Sequence, residues 1–234
     1  MQSDFKAVVL DVDGTLCSLT HGVGEVYAEV LAEKGFSSAA SNISLAARHE
    51  WREFQDLYLN TPHQNQTTHA REREVWLEYV RRVLARAELS EAIRPEVVGA
   101  IYQAFASKKY RAVEPGAVEF LKAAREAGLM VVAATNNDLR TKTVLQELGV
   151  SDYLSHMFVA GDLLWKKPSV HFFTTIATLL GVEGPHILHV GNDLKLDIEP
   201  ARRAGWSAIM YGANRDESES VSDYSQLRSK VLPS

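Results

Sequence analysis

An apolar run, Ala7-Val8-Val9-Leu10, stops abruptly at Asp11 and is followed by Val12, Asp13, Gly14, Thr15 and Leu16. A short apolar run bounded by a turn signal reads as a strand buried on both faces. Asp11 and Asp13 then stand where the strand ends and the chain turns, and in open parallel sheets ligands bind at that edge. Two carboxylates this close repel each other unless a cation lies between them or one holds a proton. Taken alone, the pair is equally compatible with an Asp-Gly turn after an exposed strand end. Its meaning rests on what the remaining chain brings to the same edge.

From Gly22 to Lys109 the sequence carries no convincing strand, and apolar residues recur at helical spacing. Val23, Val26, Tyr27, Val30 and Leu31 mark a first helix closed by Gly35. A second starts near Asn42 or Ser44 and runs through Leu45, Trp51, Phe54 and Tyr58, followed by a polar loop from Asn60 to Gln66. A third carries Val75, Trp76, Tyr79, Val80, Val83 and Leu84, and a fourth runs from Pro95 through Ile101 and Phe105. These helices predict a compact bundle. Trp51, Tyr58, Trp76 and Tyr79 are expected in its core, and His49, His63 and His69 are expected as surface residues rather than zinc ligands.

The second half alternates. Pro115 is expected in the first turn of a helix holding Val118, Phe120 and Leu121 and ending at Gly128. Leu129–Ala134 reads as a buried strand leading into Thr135-Asn136-Asn137-Asp138, with a helix behind it closed by Gly149. His156–Ala160 is a shorter strand, and Pro168 leads a helix to Gly181. His186–Val190 is a strand ending in Gly191-Asn192-Asp193, a helix covers Asp197–Ala204, and Ser207–Met210 is a last strand. The acidic, serine-rich stretch Asn214–Ser222 is expected to be mobile. Strands alternating with helices mean a parallel sheet with helices on both faces. The expected organisation is an α/β, Rossmann-like core over residues 1–17 and 111–234, interrupted by a helical insert over 18–110 that lies over the site as a lid.

All strand-to-helix junctions of such a sheet share one edge. That edge would gather Asp11 and Asp13, Thr135 and Asn136, Asn192 and Asp193, and the Lys166-Lys167-Pro168 segment. Together they describe a pocket with a hard cation at its acidic corner and an anion at its basic one. Lys166 reads as a solvated loop residue and Lys167 as the functional lysine. Thr135 is also a candidate helix N-cap, and Cys17 a small buried residue rather than a nucleophile.

These segments resemble the motifs of the haloacid dehalogenase (HAD) superfamily. Its D-x-D-G-T-L motif stands as Asp11–Leu16, its Ser/Thr motif as Thr135-Asn136, its Lys motif as Lys167-Pro168, and its acidic cluster after a Gly as Gly191-Asn192-Asp193 with Asp197. The four appear in family order, and the insert resembles the family's first type of helical cap. His21–Tyr27 and the helix around Trp76 resemble the domain-containing-protein-3-like branch. The resemblance implies a Mg²⁺-dependent phosphatase acting on a small phosphorylated metabolite. Asp11 would be the nucleophile that forms an aspartyl-phosphate, and Asp13 the general acid and base. Thr135, Asn136 and Lys167 would bind the phosphoryl group, with Asn136 acting through its backbone. Asp11, Asp13 and Asp193 would hold Mg²⁺, supported by Asn192, while Asp197 orients Lys167 or its loop. Asn192 departs from the Asp that often follows the motif-four Gly.

Two other readings stay open: a metal-independent haloacid dehalogenase, against which Asp13 argues, and a non-catalytic binding or regulatory module, which only Asn192 favours. A phosphomutase would need a cap group to return the phosphoryl, and none is evident. The net charge of -5 gives no electrostatic footprint for nucleic acid. No stretch approaches the ~20 apolar residues of a membrane-spanning helix. The residues Met1–Asp4 do not resemble a secretory signal, and the single cysteine fits a reducing compartment, so a cytoplasmic protein is expected.

Overall fold

A computed structural model describes residues 4–59, 65–212 and 219–232, with the side chains of 56–59 outside the description. The strands β1 (Ala7–Leu10), β4 (Met130–Thr135), β5 (His156–Val159), β6 (Ile187–Gly191), β7 (Ser207–Tyr211) and β8 (Ser220–Val221) form one sheet in the order β5-β4-β1-β6-β7-β8. Every pairing in it is parallel. β1 is central, and its alternate residues serve opposite faces. Val8 and Leu10 pack with Val131, Leu188 and Phe120 on one side, while Ala7 and Val9 pack with Val132, Ile187 and Phe172 on the other. A strand buried on both faces has no polar alternation, which is why its sequence is one apolar run.

The helices of the core are α5 (Ala117–Glu126), α6 (Arg140–Glu147), α7 (Ala160–Leu163), α8 (Val170–Leu180), α9 (Glu199–Arg203) and α10 (Tyr224–Val231). Gly116, at φ +80°, is the N-cap of α5, so Pro115 lies before that helix and not in its first turn. Ser169 caps α8, whose first helical residue is Val170, two after Pro168. The expected helix over Asp197–Ala204 is instead a π-helical turn, Leu194–Ile198, continued by α9.

Between β1 and α5 runs a two-stranded antiparallel ribbon, β2 (Cys17–Leu19) with β3 (Arg111–Val113). The helices α1 (Val23–Glu33), α2 (Ala40–Leu59), α3 (His69–Arg86) and α4 (Pro95–Ala104) lie between its two strands. They share their own buried cluster around Tyr27, Ile43, Leu84 and Ile101. α2 starts a little before the expected Asn42. Of the predicted loop, residues 60–64 fall outside the described residues, as do His63 and the side chain of Tyr58.

Beyond residue 212 the sequence reading misses two elements. Residues 214–218 lie outside the description, but Ser220–Val221 extends the sheet as β8 and α10 follows. Tyr224 is fully buried on α10, donates its hydroxyl to Thr15 O at 2.8 Å, and meets Phe120 and Tyr211 at ring-centroid distances of 5.5 and 5.1 Å. No helix among the described residues is long and apolar enough to cross a membrane. Truncating so large a buried ring removes its burial and leaves a cavity, costing about 3–5 kcal/mol. Tyr224→Ala should show that loss in a denaturant titration, although the side chain is remote from the site in sequence.

Candidate active site

Leu10 pairs with Ala133 on one side and Val190 on the other, so Asp11 leaves the sheet between the ends of β4 and β6. Its amide donates to Val190 O at 2.8 Å, which fixes the backbone at that step. The carboxylate is buried. Its Oδ1 accepts from Lys167 Nζ at 2.7 Å, and the same ammonium donates to Asp197 Oδ1 at 2.6 Å. Lys167 is only 3 % exposed. The amide of Asn136 holds the lysine's backbone from both sides, donating to Lys167 O at 2.9 Å and accepting from Lys167 N at 2.7 Å. The Asn136 side chain thus fixes the Lys167 backbone, beside the backbone contribution expected of it.

Asp197 is reached through the π-helical turn. Asp193 Oδ1 accepts from the amides of Lys195 and Leu196 at 2.8 and 2.9 Å and so caps that turn. The amide of Asp193 in turn donates to Asp197 Oδ2 at 3.1 Å. Gly191 has no room for a Cβ, which would overlap the Asp197 carboxylate. Buried His189 faces Asp197 Oδ1 at 3.1 Å through Nε2. Burial holds the imidazole below its usual range, despite Asp197. In this pairing Nε2 is the nitrogen that carries the proton given to the carboxylate.

One ammonium thus lies between two buried carboxylates. Burial pushes Asp11 above the ordinary carboxylate range, with Lys167 pulling the other way and Asp197 adding to the rise. For Asp197, burial is outweighed by the Lys167 ammonium and the His189 hydrogen bond, which hold it well below that range. For Lys167, burial is outweighed by the two carboxylates, which hold it charged.

Asp13 lies further out. It accepts from Arg111 Nη1 on one oxygen and from Asn137 Nδ2 on the other. Arg111 belongs to β3 and also donates to Phe105 O at 3.2 Å. Gly14, at φ +74°, is packed against Asn192 so closely that a Cβ there would overlap the amide. Thr135 is buried and its Oγ1 accepts from Asn137 N at 3.2 Å, a local turn rather than a helix N-cap, since α6 begins only at Arg140. The hydroxyl proton remains available. Burial, with Asp13 adding, pushes the Cys17 thiol up to about 12, so it is no nucleophile at neutral pH.

Sequence reasoning assigned no role to Arg111, Asn137 or His189. Asn137 stands directly after the Thr135-Asn136 pair, which was a usable signal; Arg111 and His189 carry none. Lys166 overturns the expectation of a solvated side chain. It is 0 % exposed, because α3 covers it and places Glu72 beside it. Burial lowers its ammonium to about 8, against the pull of Glu72. His69, on α3, faces Asp162 at 3.3 Å and is partly exposed.

The acidic corner opens into a cavity of about 770 Å³. Asp13, Gly14 and Asn192 line its core side, and Tyr27, Trp51, Trp76 and Tyr79 its helical side. Trp51 is 38 % exposed and forms cavity wall, where a core position was expected.

Removing one partner of a buried charge network leaves the others uncompensated, at about 3–5 kcal/mol. Asp197→Ala should therefore lower the denaturation midpoint by an amount of that order, while Asp193→Ala, which removes an N-cap, should cost nearer ~1 kcal/mol.

The family model of haloacid dehalogenase-like hydrolases matches residues 5–205. The haloacid dehalogenase-like hydrolase domain-containing protein 3 of Bos taurus is 24% identical over 232 residues, covering 98% of this chain and 90% of that protein. A glyceraldehyde 3-phosphate phosphatase of Methanopyrus kandleri is 26% identical over 207 residues, covering 87% and 82%. Among solved structures, a defluorinating L-2-haloacid dehalogenase superposes with a TM-score of 0.77 at 15% identity, covering 97% of this chain and 95% of that one. Both phosphatases and dehalogenases are thus among the proteins it resembles. With the matched segment spanning β1, β4, β5 and β6 and every strand end that carries the site, the chain belongs to the haloacid dehalogenase-like hydrolases.

Proposed function

We propose that the protein is a Mg²⁺-dependent phosphatase that hydrolyses a phosphomonoester through an aspartyl-phosphate on Asp11. The observation that carries this reading is the second carboxylate. Asp13 stands at the cavity mouth, oriented on both oxygens by Arg111 and Asn137, beside a buried Asp11 already paired to Lys167. Displacement at carbon needs no acid at that place, whereas expulsion of an alkoxide from phosphorus does. The relative named as a glyceraldehyde 3-phosphate phosphatase supports the same choice.

The residues divide the work. Asp11 presents the oxygen that Lys167 does not take and attacks phosphorus. Lys167 offsets charge on the carboxylate and on the incoming phosphoryl group. The Thr135 hydroxyl, its lone pair engaged by Asn137 N, donates its proton to a phosphoryl oxygen. Asp13 passes a proton to the leaving alkoxide and then takes one from the hydrolytic water. Asn136 keeps the Lys167 loop in place.

The donor set suits a hard divalent ion. Asp11 would supply the carboxylate oxygen that Lys167 does not take and Asp13 a main-chain carbonyl oxygen, its carboxylate being held by Arg111 and Asn137, while Asn192 is packed against Gly14 at the same corner. Among the described residues no group of three His, Cys, Asp or Glu side chains converges, so the further side-chain donor would be the Asn192 amide, which lines the same corner, rather than Asp193. When bound, Mg²⁺ supplies charge neutralisation for the carboxylates and the phosphoryl oxygens.

Asp11→Asn should abolish phosphate release from any ester that the wild type hydrolyses, and retained turnover would reject Asp11 as nucleophile. A chelator should abolish release and added Mg²⁺ restore it. Asn192→Asp adds a charged ligand at the corner and should lower the Mg²⁺ concentration at half-maximal rate by about tenfold; an unchanged Mg²⁺ dependence would place the third donor elsewhere.

A further inference from the structure

Given the phosphatase reading, on which this inference rests, the cavity above the acidic corner has to hold the leaving group. Its volume of about 770 Å³ is within the range that encloses drug-sized molecules and is far more than a two- or three-carbon ester fills. Its helical wall is aromatic. Trp51 and Trp76 stack face to face at 5.9 Å and 12°, and Tyr79 meets both edge-on at 5.8 and 6.1 Å. This is not simply the centre of the bundle, because Trp51 lies outside the buried helical cluster and stays 38 % exposed.

Two donors on that wall are unused. The Tyr27 hydroxyl and the Trp76 indole N–H are buried and have no hydrogen-bond partner among the described residues. Both residues line the cavity. A buried donor left unmade is costly, so an acceptor is owed to each. Arg48 and Arg52, one turn apart on α2, add positive charge along the same cavity. Such charge draws an anionic ester toward the site.

We infer that the substrate is a phosphomonoester whose alcohol carries a flat heteroaromatic ring of roughly nucleoside size. The ring stacks on the Trp51–Trp76 wall, and acceptors on its edge take the hydrogen bonds of Tyr27 and Trp76. A flat π-face explains parallel indoles left open to a cavity, and edge acceptors explain donors that a plain hydrocarbon chain would leave unsatisfied.

The test uses the full chain carrying Asp11→Asn, so that binding is read without turnover. It is titrated with adenosine and uridine 5'-monophosphates and pyridoxal 5'-phosphate, and in parallel with glycerol 3-phosphate and phosphoglycolate, by calorimetry and tryptophan fluorescence. At least one aromatic ester should bind about tenfold or more tighter than both aliphatic ones and quench the fluorescence. Trp76→Leu should remove most of that advantage and leave aliphatic binding within about twofold. Tyr27→Phe, which keeps the volume, should weaken the aromatic ester about fivefold and is the deciding variant if Trp76→Leu does not fold. Aromatic esters that bind no tighter than aliphatic ones, or variants that weaken both alike, overturn the inference. Phosphate release by the wild type separates the two ideas. Release from aliphatic esters alone sinks the ring and keeps the phosphatase, whereas an aromatic binding preference with no release from any ester sinks the phosphatase and keeps the ring.

Discussion

The structure depends on a single ammonium group placed between two buried carboxylates. Lys167 reaches Asp11 and Asp197 at 2.7 and 2.6 Å, and His189 and the Asp193 amide complete the shell around Asp197. One positive charge against two negative ones leaves an excess that a dry interior penalises. The excess falls on the more exposed of the two problems. Asp197 has two further donors and stays ionised, whereas Asp11 has only the Lys167 side chain among the described residues and is pushed up by burial. The site is therefore short of positive charge at Asp11, and a cationic or electron-poor visitor relieves that shortage.

Holding this triad requires three separate strand ends, and each does so by a different local device. β1 delivers Asp11 by ending where Val190 O takes its amide. The loop after β4 delivers Asn136, whose amide clamps the Lys167 backbone. The chain after β6 delivers Asp197 through a π-helical turn, a geometry in which Asp193 O accepts from both Asp197 N and Ile198 N at 2.9 and 3.2 Å. π-Turns are uncommon and gather at functional sites. Here the extra residue brings Asp197 back under Gly191, where only a glycine leaves it space.

The strand ends were legible in the sequence because a strand buried on both faces writes itself as an apolar run, and polar residues at its end have no packing reason to be there. Asp11, Asp13, Thr135 and Asn192 stand out in this way, whereas Lys167 was singled out by the company of the other motifs. The parts that escaped lack periodicity to read. The ribbon strands β2 and β3 are three residues each, too short for an alternation. α10 buries only Tyr224, Leu227 and Val231 within a polar stretch, and its burial comes from the sheet rather than from its own composition. Lys166 is identical in kind to its neighbour, and only the position of α3 decides that it is buried. The clamp made by Asn136 depends on a loop thirty-one positions away, a distance no local pattern spans.

The ribbon links the two halves of the site in a way that the fold alone does not require. Arg111 sits on β3, the strand by which the chain returns from the helices, and its guanidinium holds Asp13 while its Nε holds Phe105 O near the end of α4. Asp13 is thus oriented by the segment that carries the helical wall of the cavity. Asp11, Lys167 and Asp197 answer only to the sheet. Asp11 is fixed by the rigid layer, and Asp13 is tied to the helices. Any displacement of the helices relative to the sheet would act on Asp13 before it acted on Asp11. In the proposed reading, chemistry at phosphorus and fit of the leaving group are in that sense separate properties of one chain, joined through Arg111.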